Sequence, residues 1–303
     1  MKEASFSIAG VGFDFISHGV AAEYLFDELK GFLPGFLVGK KKPADAVCLV
    51  HFDHEQTYRQ RFDSEPRLIR RQDSVSSEAI FARMERIPFP AVNSSHAIGF
   101  LNGCLIFDEP TNRGLIYIFY AKGANHFPGT LWKLLFVFTC LAMVRTHRLM
   151  VHGAGIKKRR GGYLFLGNSG AGKSTVAALS DRDVVLSDDA TVIEVAGDAC
   201  HIHATPFRQF GIEGGPRKRL YLQQEKLDKV FFLHQSAVTA IEPREQRNAF
   251  TELLKAHLHC FEIMGEPLKR QAFYLCRRVC EMTPAWDLFF RKDPGFWKLV
   301  VTK

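Results

Sequence analysis

The segment GNSGAGKS at residues 167–174 decides the fold prediction for this chain, and its residues are Gly167, Asn168, Ser169, Gly170, Ala171, Gly172, Lys173 and Ser174. The segment fits the pattern GxxxxGK[ST], in which glycines allow successive backbone N–H groups to turn inward around phosphates. In this pattern the lysine reaches the β- and γ-phosphates, and the serine hydroxyl binds Mg²⁺. Thr175 follows directly and is included in the expected nucleotide contacts. The sequence therefore predicts a site for ATP and Mg²⁺.

The sequence on both sides of this segment fits a phosphate loop. YLFL at residues 163–166 predicts a buried strand, and a helix is expected over residues 173–180, with its positive end toward the anion. Further upstream, MVHGAGI at 150–156 and GGYLFLG at 161–167 flank a basic turn. A β-hairpin that leads directly into the loop follows, and the expected fold class is α/β with a mixed sheet.

Two aspartates, Asp188 and Asp189, follow the next apolar run, DVVLS at residues 183–187. Carboxylates at the end of a strand beside a phosphate loop hold a metal or activate a nucleophile. Neighbouring side chains of an extended chain point in opposite directions, so one aspartate would serve the metal shell and the other a hydroxyl. The alternative is a solvated turn, because aspartates often end strands.

Other polar residues are weaker candidates for a functional role. His152 ends a strand near the loop and could carry a proton, although a lone histidine is more often structural. His201 and His203 share one face of a strand without a third metal ligand, which favours a structural role. Arg208 and the basic run 217–219 could clamp phosphate or lie in solvent.

The bulk composition narrows the function classes. The 303 residues carry a formal charge of +8, which favours an anionic partner such as a nucleotide or an acidic peptide. No interleaved aromatic and basic motif predicts binding to nucleic acid. Seven scattered cysteines without a CxxC pair indicate neither a zinc site nor a disulfide framework, and Cys276 and Cys280 are expected to be partly buried thiols.

The same composition predicts a cytoplasmic protein. The N-terminus has no continuous apolar stretch of a secretory signal, and the cysteine usage suits a reducing compartment. The most apolar stretch, residues 134–144, would span only about 16 Å as a helix, roughly half of a bilayer core. A buried helix is therefore expected there, and no membrane contact.

A domain boundary is expected after residue 145, with the nucleotide-binding domain at 146–303. Residues 1–145 are predicted to form an α/β or α+β region. Its expected elements are strands at 6–13 and 46–52, a helix over about 20–32, an exposed excursion over 53–78, a hairpin through PTNRG at 110–114, and a helix over 128–148. By elimination, this region would recognise the substrate or make homo-oligomer contacts.

The region from His152 to about Val195 resembles the catalytic core of the HPr kinase/phosphorylase family, bacterial enzymes that phosphorylate a serine of a carrier protein. The resemblance rests on HGAGI, the hairpin, GNSGAGKS and the following SDD. In that family a histidine stands fifteen residues before the first glycine of the loop, and His152 has this spacing to Gly167. The family core is related to that of phosphoenolpyruvate carboxykinase, a P-loop protein with a mixed sheet.

The resemblance implies roles for individual residues. Lys173 would polarise the phosphate, Ser174 would ligate Mg²⁺, Asp189 would accept the proton of the attacking hydroxyl, and Asp188 would support the metal shell, with His152 now expected to be functional. The family's further acidic metal ligand has no clear counterpart, and only Glu213 is a weak candidate. The closing segments are more similar to divergent HPr-kinase-like proteins found beside peptide-modification genes.

The expected function is an ATP- and Mg²⁺-dependent kinase that acts on a hydroxyl, with a serine or threonine of a protein or peptide as the acceptor. Two alternatives stay open. One is a kinase of small molecules or a carboxykinase-like enzyme. The other is a regulatory or scaffold protein that binds ATP without catalysis.

Overall fold

The computed structural model describes residues 2–19, 27, 36–39, 43–54, 67–70, 96–100, 103–120, 127–158, 161–180, 185–207, 224–257, 260–261 and 264–301. These residues form an α/β protein with two mixed β-sheets. The chain divides into two compact units, one of Met1–Arg145 with Cys260–Lys269 and one of Thr146–His259 with Arg270–Lys303. The division falls where the sequence placed its boundary, but residues 260–269 belong to the first unit rather than the second.

The first unit is built on a seven-stranded sheet. Its elements are β1 Lys2–Ile8, β2 Val11–Gly19, β3 Ala46–His54, β4 Arg67–Arg70, β5 His96–Phe100, β6 Gly103–Asp108, β7 Arg113–Tyr120 and helix α1 Phe127–Arg145. The strand order is β1-β2-β3-β7-β6-β5-β4. Strands β2, β3 and β7 are parallel to one another, and the outer strands are antiparallel to their neighbours. Helix α1 packs on β6 and β7.

The core of the first unit is aromatic. The ring of Phe138 on α1 meets those of Phe13, Phe15 and Phe107 edge to face, with centroids 5.8–6.2 Å apart. Gly114 on β7 leaves the space for Phe138, because a Cβ at this position would lie within 2.7 Å of two of its ring carbons. The apolar stretch 134–144 is therefore the buried part of α1, as expected. Among the described residues, no helix has the length and apolarity needed to cross a membrane.

The second unit is built on an eight-stranded sheet. Its elements are β8 Arg148–Lys158, β9 Gly161–Leu166, α2 Lys173–Ala178, β10 Val185–Ser187, β11 Ala190–Ala196, β12 Ala199–His203, β13 Gln224–Gln235, β14 Ala240–Pro243, α3 Gln246–His257, α4 Glu266–Met282, β15 Ala285–Phe290, a 3₁₀ turn Pro294–Phe296 and α5 Trp297–Val300. Strands β9, β13 and β15 are parallel, with β13 between the other two. Strand β8 is antiparallel to β9, β10 and β11, and β14 is antiparallel to β15.

The core of the second unit lies beneath α2. Phe165 of β9 stacks on Phe231 of β13 with ring centroids 5.4 Å apart, and Phe296 and Trp297 pack edge-on against Phe165. Val176 of α2 is fully buried in the same cluster. The helix that follows the loop is thus anchored by apolar contacts, and it positions Lys173 at its first residue.

Several boundaries differ from the sequence prediction. The expected strand 6–13 is a hairpin that turns at Ala9 and Gly10, both with positive φ, so that Phe6 and Phe13 pair across it. Helix α1 ends at Arg145 because the chain turns through His147, whose φ is +59°.

Within the excursion expected at 53–78, Arg67–Arg70 forms an edge strand paired with β5. Most of this excursion and nearly all of the helix expected at 20–32 lie outside the described residues. The hairpin through 110–114 is confirmed over 103–120, the hairpin that leads into the loop over 148–166, and the strand expected at 46–52 over 46–54.

Candidate nucleotide-binding site

The segment 167–172 forms a tight loop between β9 and α2. The amide of Ala171 donates to the carbonyl of Asn168 at 3.0 Å, which closes a turn within the loop. Gly170 and Gly172 adopt φ of +80° and +113°, a backbone region that residues with side chains rarely occupy. Asn168, Ser169, Gly170 and Ser174 are exposed, so an anion can approach the loop from solvent.

Lys173 closes the loop from within. Its side chain is largely buried, and its Nζ donates to the carbonyls of Gly167 at 2.8 Å and Asn168 at 3.2 Å. Burial lowers the pKa of Lys173, while the nearby charge of Asp189 opposes that shift. The ammonium group is therefore held among loop carbonyls, and an anion in the loop would offer it better acceptors.

The hairpin register explains the spacing between His152 and Gly167. Gly153 on β8 pairs with Leu166, the last residue of β9, so continuing the register by one residue brings His152 opposite Gly167. His152 alternates with Gly153 along β8 and shares a sheet face with Ala154 and Ile156, which belong to the core beneath α2. The spacing thus places the imidazole beside the base of the loop.

The two aspartates lie in the turn between β10 and β11. The Ser187 hydroxyl accepts a hydrogen bond from the amide of Ala190 at 3.2 Å, and the amide of Gly153 donates to the carbonyl of Asp189 at 2.9 Å. These bonds tie the turn to β8. Asp188 is buried, at 3 % exposure, whereas a third of the Asp189 side chain is open to solvent.

The turn brings Asp189 into contact with both other candidate groups. Its Oδ1 lies 3.1 Å from Nδ1 of His152, a distance at which a protonated Nδ1 donates to the carboxylate. The charge of Asp189 also acts on Lys173, whose pKa it raises against the effect of burial. The carboxylate of Asp189, the imidazole of His152 and the ammonium group of Lys173 therefore lie together at one end of the sheet.

A cavity of about 400 Å³ adjoins the loop on the side of the other parallel strands. It is lined by Gly172, Thr175, Gln235, Ser236, Ala237, Phe290, Arg291 and Lys292. The side-chain amide of Gln235 donates to the carbonyl of Gly170 at 2.5 Å and so links the end of β13 to the loop. Sequence reasoning missed these residues; the available signal was the polar residues directly after KVFFLH and DLFF, where two strands end.

The weaker candidates separate into two groups. His203 is a structural residue, since its Nε2 lies 2.9 Å from Glu194, which also pairs with Arg148 at 2.5 Å. Burial lowers the pKa of His203, while Glu194 opposes the shift. Arg208, Glu213 and the basic run 217–219 lie outside the described residues.

The cysteines are free thiols. All seven lie within the described part of the chain, and none is in a disulfide. Burial raises the pKa of Cys280 to about 12, so the thiol form persists at neutral pH, and Cys276 four residues before it is fully buried. The expectation of two partly buried thiols is confirmed for Cys280, while Cys276 is wholly internal.

The donor set near the loop suits Mg²⁺. The Ser174 hydroxyl and the carboxylates of Asp188 and Asp189 are hard oxygen donors, which Mg²⁺ prefers together with phosphate oxygens and water. Among the described residues, no group of three or more His, Cys, Asp or Glu side chains is arranged to hold a metal by itself.

Comparison of the sequence with models of known protein families found no match, and a search of curated proteins found no similar sequence.

Proposed function

We propose that this chain is an ATP- and Mg²⁺-dependent kinase that transfers the γ-phosphoryl group to a hydroxyl, with a serine or threonine of a protein or peptide as the acceptor. The observation that carries the proposal is the position of Asp189. Its carboxylate is open to solvent, lies 3.1 Å from His152 and interacts electrostatically with Lys173 of the loop. An anion site with an accessible carboxylate at its edge is the arrangement that phosphoryl transfer to a hydroxyl requires.

Each residue has a defined task in this reaction. The loop amides and Lys173 bind the β- and γ-phosphates, and Asp189 accepts a hydrogen bond from the incoming hydroxyl. The hydroxyl oxygen forms a bond to the γ-phosphorus while the bond to the β–γ bridging oxygen breaks. The hydroxyl proton passes to Asp189, and ADP leaves. His152 donates to Asp189 and keeps its carboxylate in place.

The metal would be held by Ser174 and Asp188, as the resemblance implies. When bound, Mg²⁺ neutralises charge on the β- and γ-phosphate oxygens. Asp188 is buried and Asp189 is partly open to solvent, which suits a division in which only Asp189 meets the acceptor. The assignment of Asp188 to the metal remains part of the proposal.

The proposal includes a P-loop kinase fold of the HPr kinase and phosphoenolpyruvate carboxykinase type for residues 146–303. It is supported by the antiparallel hairpin β8–β9 that leads into the loop, and by the register that brings His152 opposite Gly167. Recognition of the acceptor or homo-oligomer contacts are proposed for residues 1–145, and a cytoplasmic location for the protein.

The test is a transfer assay with γ-labelled ATP, Mg²⁺ and cell lysate, followed by separation of proteins from small molecules. Wild type should label a protein or peptide. At about pH 7, Asp189→Asn should bind ATP with unchanged affinity and transfer label about 10²–10⁴ times more slowly, since it lacks the base. Asp198→Asn is the matched control, because Asp198 is fully exposed in the turn between β11 and β12.

The outcomes separate the alternatives. Label in the small-molecule fraction would identify a small-molecule kinase. If wild type binds ATP tightly and labels neither fraction, the protein is a nucleotide-binding regulator and the catalytic proposal is wrong. Equal transfer by wild type and Asp189→Asn would remove Asp189 from the mechanism.

A further inference from the structure

The cavity beside the loop lies where three parallel strands end. Gly172 and Thr175 follow β9, Gln235 ends β13 and is followed by Ser236 and Ala237, and Phe290 ends β15 and is followed by Arg291 and Lys292. In open α/β sheets, ligands bind in the crevice outside the carboxyl ends of parallel strands. The volume of about 400 Å³ lies within the range of about 300–1,000 Å³ found for small-molecule sites.

The cavity continues directly from the phosphate loop. Gly172 is the last loop residue before Lys173, and its Cα faces the ring of Phe290 so closely that a Cβ would lie 2.7 Å from the ring. Thr175 stands two residues beyond Lys173. The cavity therefore adjoins both the end of the loop and the first turn of α2.

The walls of the cavity combine one apolar surface with polar groups. Phe290 is a buried ring, at 3 % exposure, that belongs to the core beneath α2 and is therefore rigid. Ser236 contributes a hydroxyl whose oxygen accepts from the amide of Val238 at 3.1 Å and whose proton can be donated. Arg291 and Lys292 are exposed cations at the rim. An apolar wall with a few convergent polar groups suits a ring system that carries hydroxyls.

We infer that this cavity binds the nucleoside part of the nucleotide whose phosphates lie in the loop, with the Phe290 wall against the base or ribose. The inference rests on the proposed function, because it requires a triphosphate in the loop. Gln235 lines the cavity and also donates to Gly170, so it is a positioning residue that joins the nucleoside site to the phosphate loop.

The first experiment compares calorimetric binding of ATP with that of inorganic tripolyphosphate. Ala237→Trp places a large side chain at the cavity, and Val238→Trp introduces the same side chain at a neighbour that is 71 % exposed and does not line it. Ala237→Trp should weaken ATP binding at least tenfold and leave tripolyphosphate within twofold of wild type. Val238→Trp should change neither.

The second experiment does not depend on how the chain tolerates tryptophan. Ala237→Cys introduces a thiol at an exposed position, whereas six of the seven native cysteines are buried. Labelling at position 237 with a maleimide should be slowed at least tenfold by saturating ATP and unchanged by saturating tripolyphosphate. In Val238→Cys, neither compound should slow the labelling.

The results distinguish the two proposals. Suppose that wild type binds ATP, that ATP does not slow labelling at position 237, and that Ala237→Trp does not weaken ATP binding. The nucleoside then lies elsewhere and the inference is wrong, while the loop assignment stands. If wild type binds neither ATP nor tripolyphosphate, the loop assignment fails, and the nucleoside site fails with it.

Discussion

The two units share one feature, three neighbouring parallel strands with antiparallel strands beside them, within sheets of different size and strand order. In the first, β2, β3 and β7 form a parallel core with antiparallel strands outside it, and in the second, β9, β13 and β15 do the same. Both sheets pack against large aromatic side chains. The sheet architecture therefore does not by itself explain the site, and the difference must lie in the polar residues.

Polar groups in the described part of the first unit join segments two at a time. The Ser5 hydroxyl donates to Asp14 across the first hairpin at 2.6 Å, and the Asn112 amide donates to the carbonyl of Asp45 at 2.8 Å. In the second unit, Lys173, His152 and Asp189 come from three different elements and converge on one place. Convergence of this kind is expected of a functional site, because no single turn requires it.

The largest expected effect is on ATP affinity, and it distinguishes a lysine of the second unit from a lysine of the first. Lys173→Ala should lower ATP affinity by about a hundredfold or more, since it removes the ammonium that pairs with the phosphates. Lys133→Ala, on the exposed side of α1, should bind ATP as wild type does. Calorimetry provides both values, and unchanged affinity in Lys173→Ala would contradict the loop assignment.

Two glycines that face phenylalanine rings allow a matched comparison of stability. Gly114 faces Phe138 in the first unit and Gly172 faces Phe290 in the second. Alanine at either position should cost about 1–3 kcal/mol in the free energy of unfolding, through overpacking at Gly114 and through overpacking with strained φ at Gly172. Only Gly172→Ala should also weaken ATP binding, by about tenfold.

Chemical denaturation and calorimetry measure these two effects separately. If Gly114→Ala weakened ATP binding as strongly as Gly172→Ala, the functional difference between the two glycines would be lost.

Substitutions of two histidines, one in each unit, test the positioning role of His152. His152→Gln should slow phosphoryl transfer about tenfold with little change in ATP affinity, an effect smaller than the 10²–10⁴ expected for the base itself. His51→Gln, in a histidine that packs against Tyr117 in the first unit, should leave the transfer rate unchanged. Equal rates for His152→Gln and wild type would reduce His152 to a structural residue.

The smallest expected effect is on pH dependence. Burial lowers the pKa of Lys173, so its proton is lost at a lower pH than from an exposed lysine, and ATP affinity should fall earlier as the pH rises. Asp189 opposes that shift, so Asp189→Asn should move the fall in affinity further toward neutral pH. We expect a two- to threefold difference in affinity between the two proteins at about pH 9. If ATP affinity falls in parallel for wild type and Asp189→Asn from about pH 7 to 9.5, Asp189 does not act on Lys173.

Local patterns were sufficient to predict much of the second unit. The hairpin 148–166, the loop, the helix from Lys173 and the strand before Asp188 follow from short runs of residues whose structure depends on near neighbours. The hairpin turn at Ala9-Gly10 was missed because this pair lacks the Asn-Gly or Asp-Gly signal of such turns. Strand β4 was missed because it is a short edge strand within a polar stretch.

The sequence by itself determined the backbone of the loop 167–172, because its glycines adopt φ values that residues with side chains rarely occupy. Only the tertiary structure decided that Asp189 rather than Asp188 is open to solvent and that it meets His152 and Lys173. In the tertiary structure, the ends of β9, β13 and β15 also lie around one cavity. The pairing of these strands joins residues that are far apart in the chain, and no local pattern encodes it.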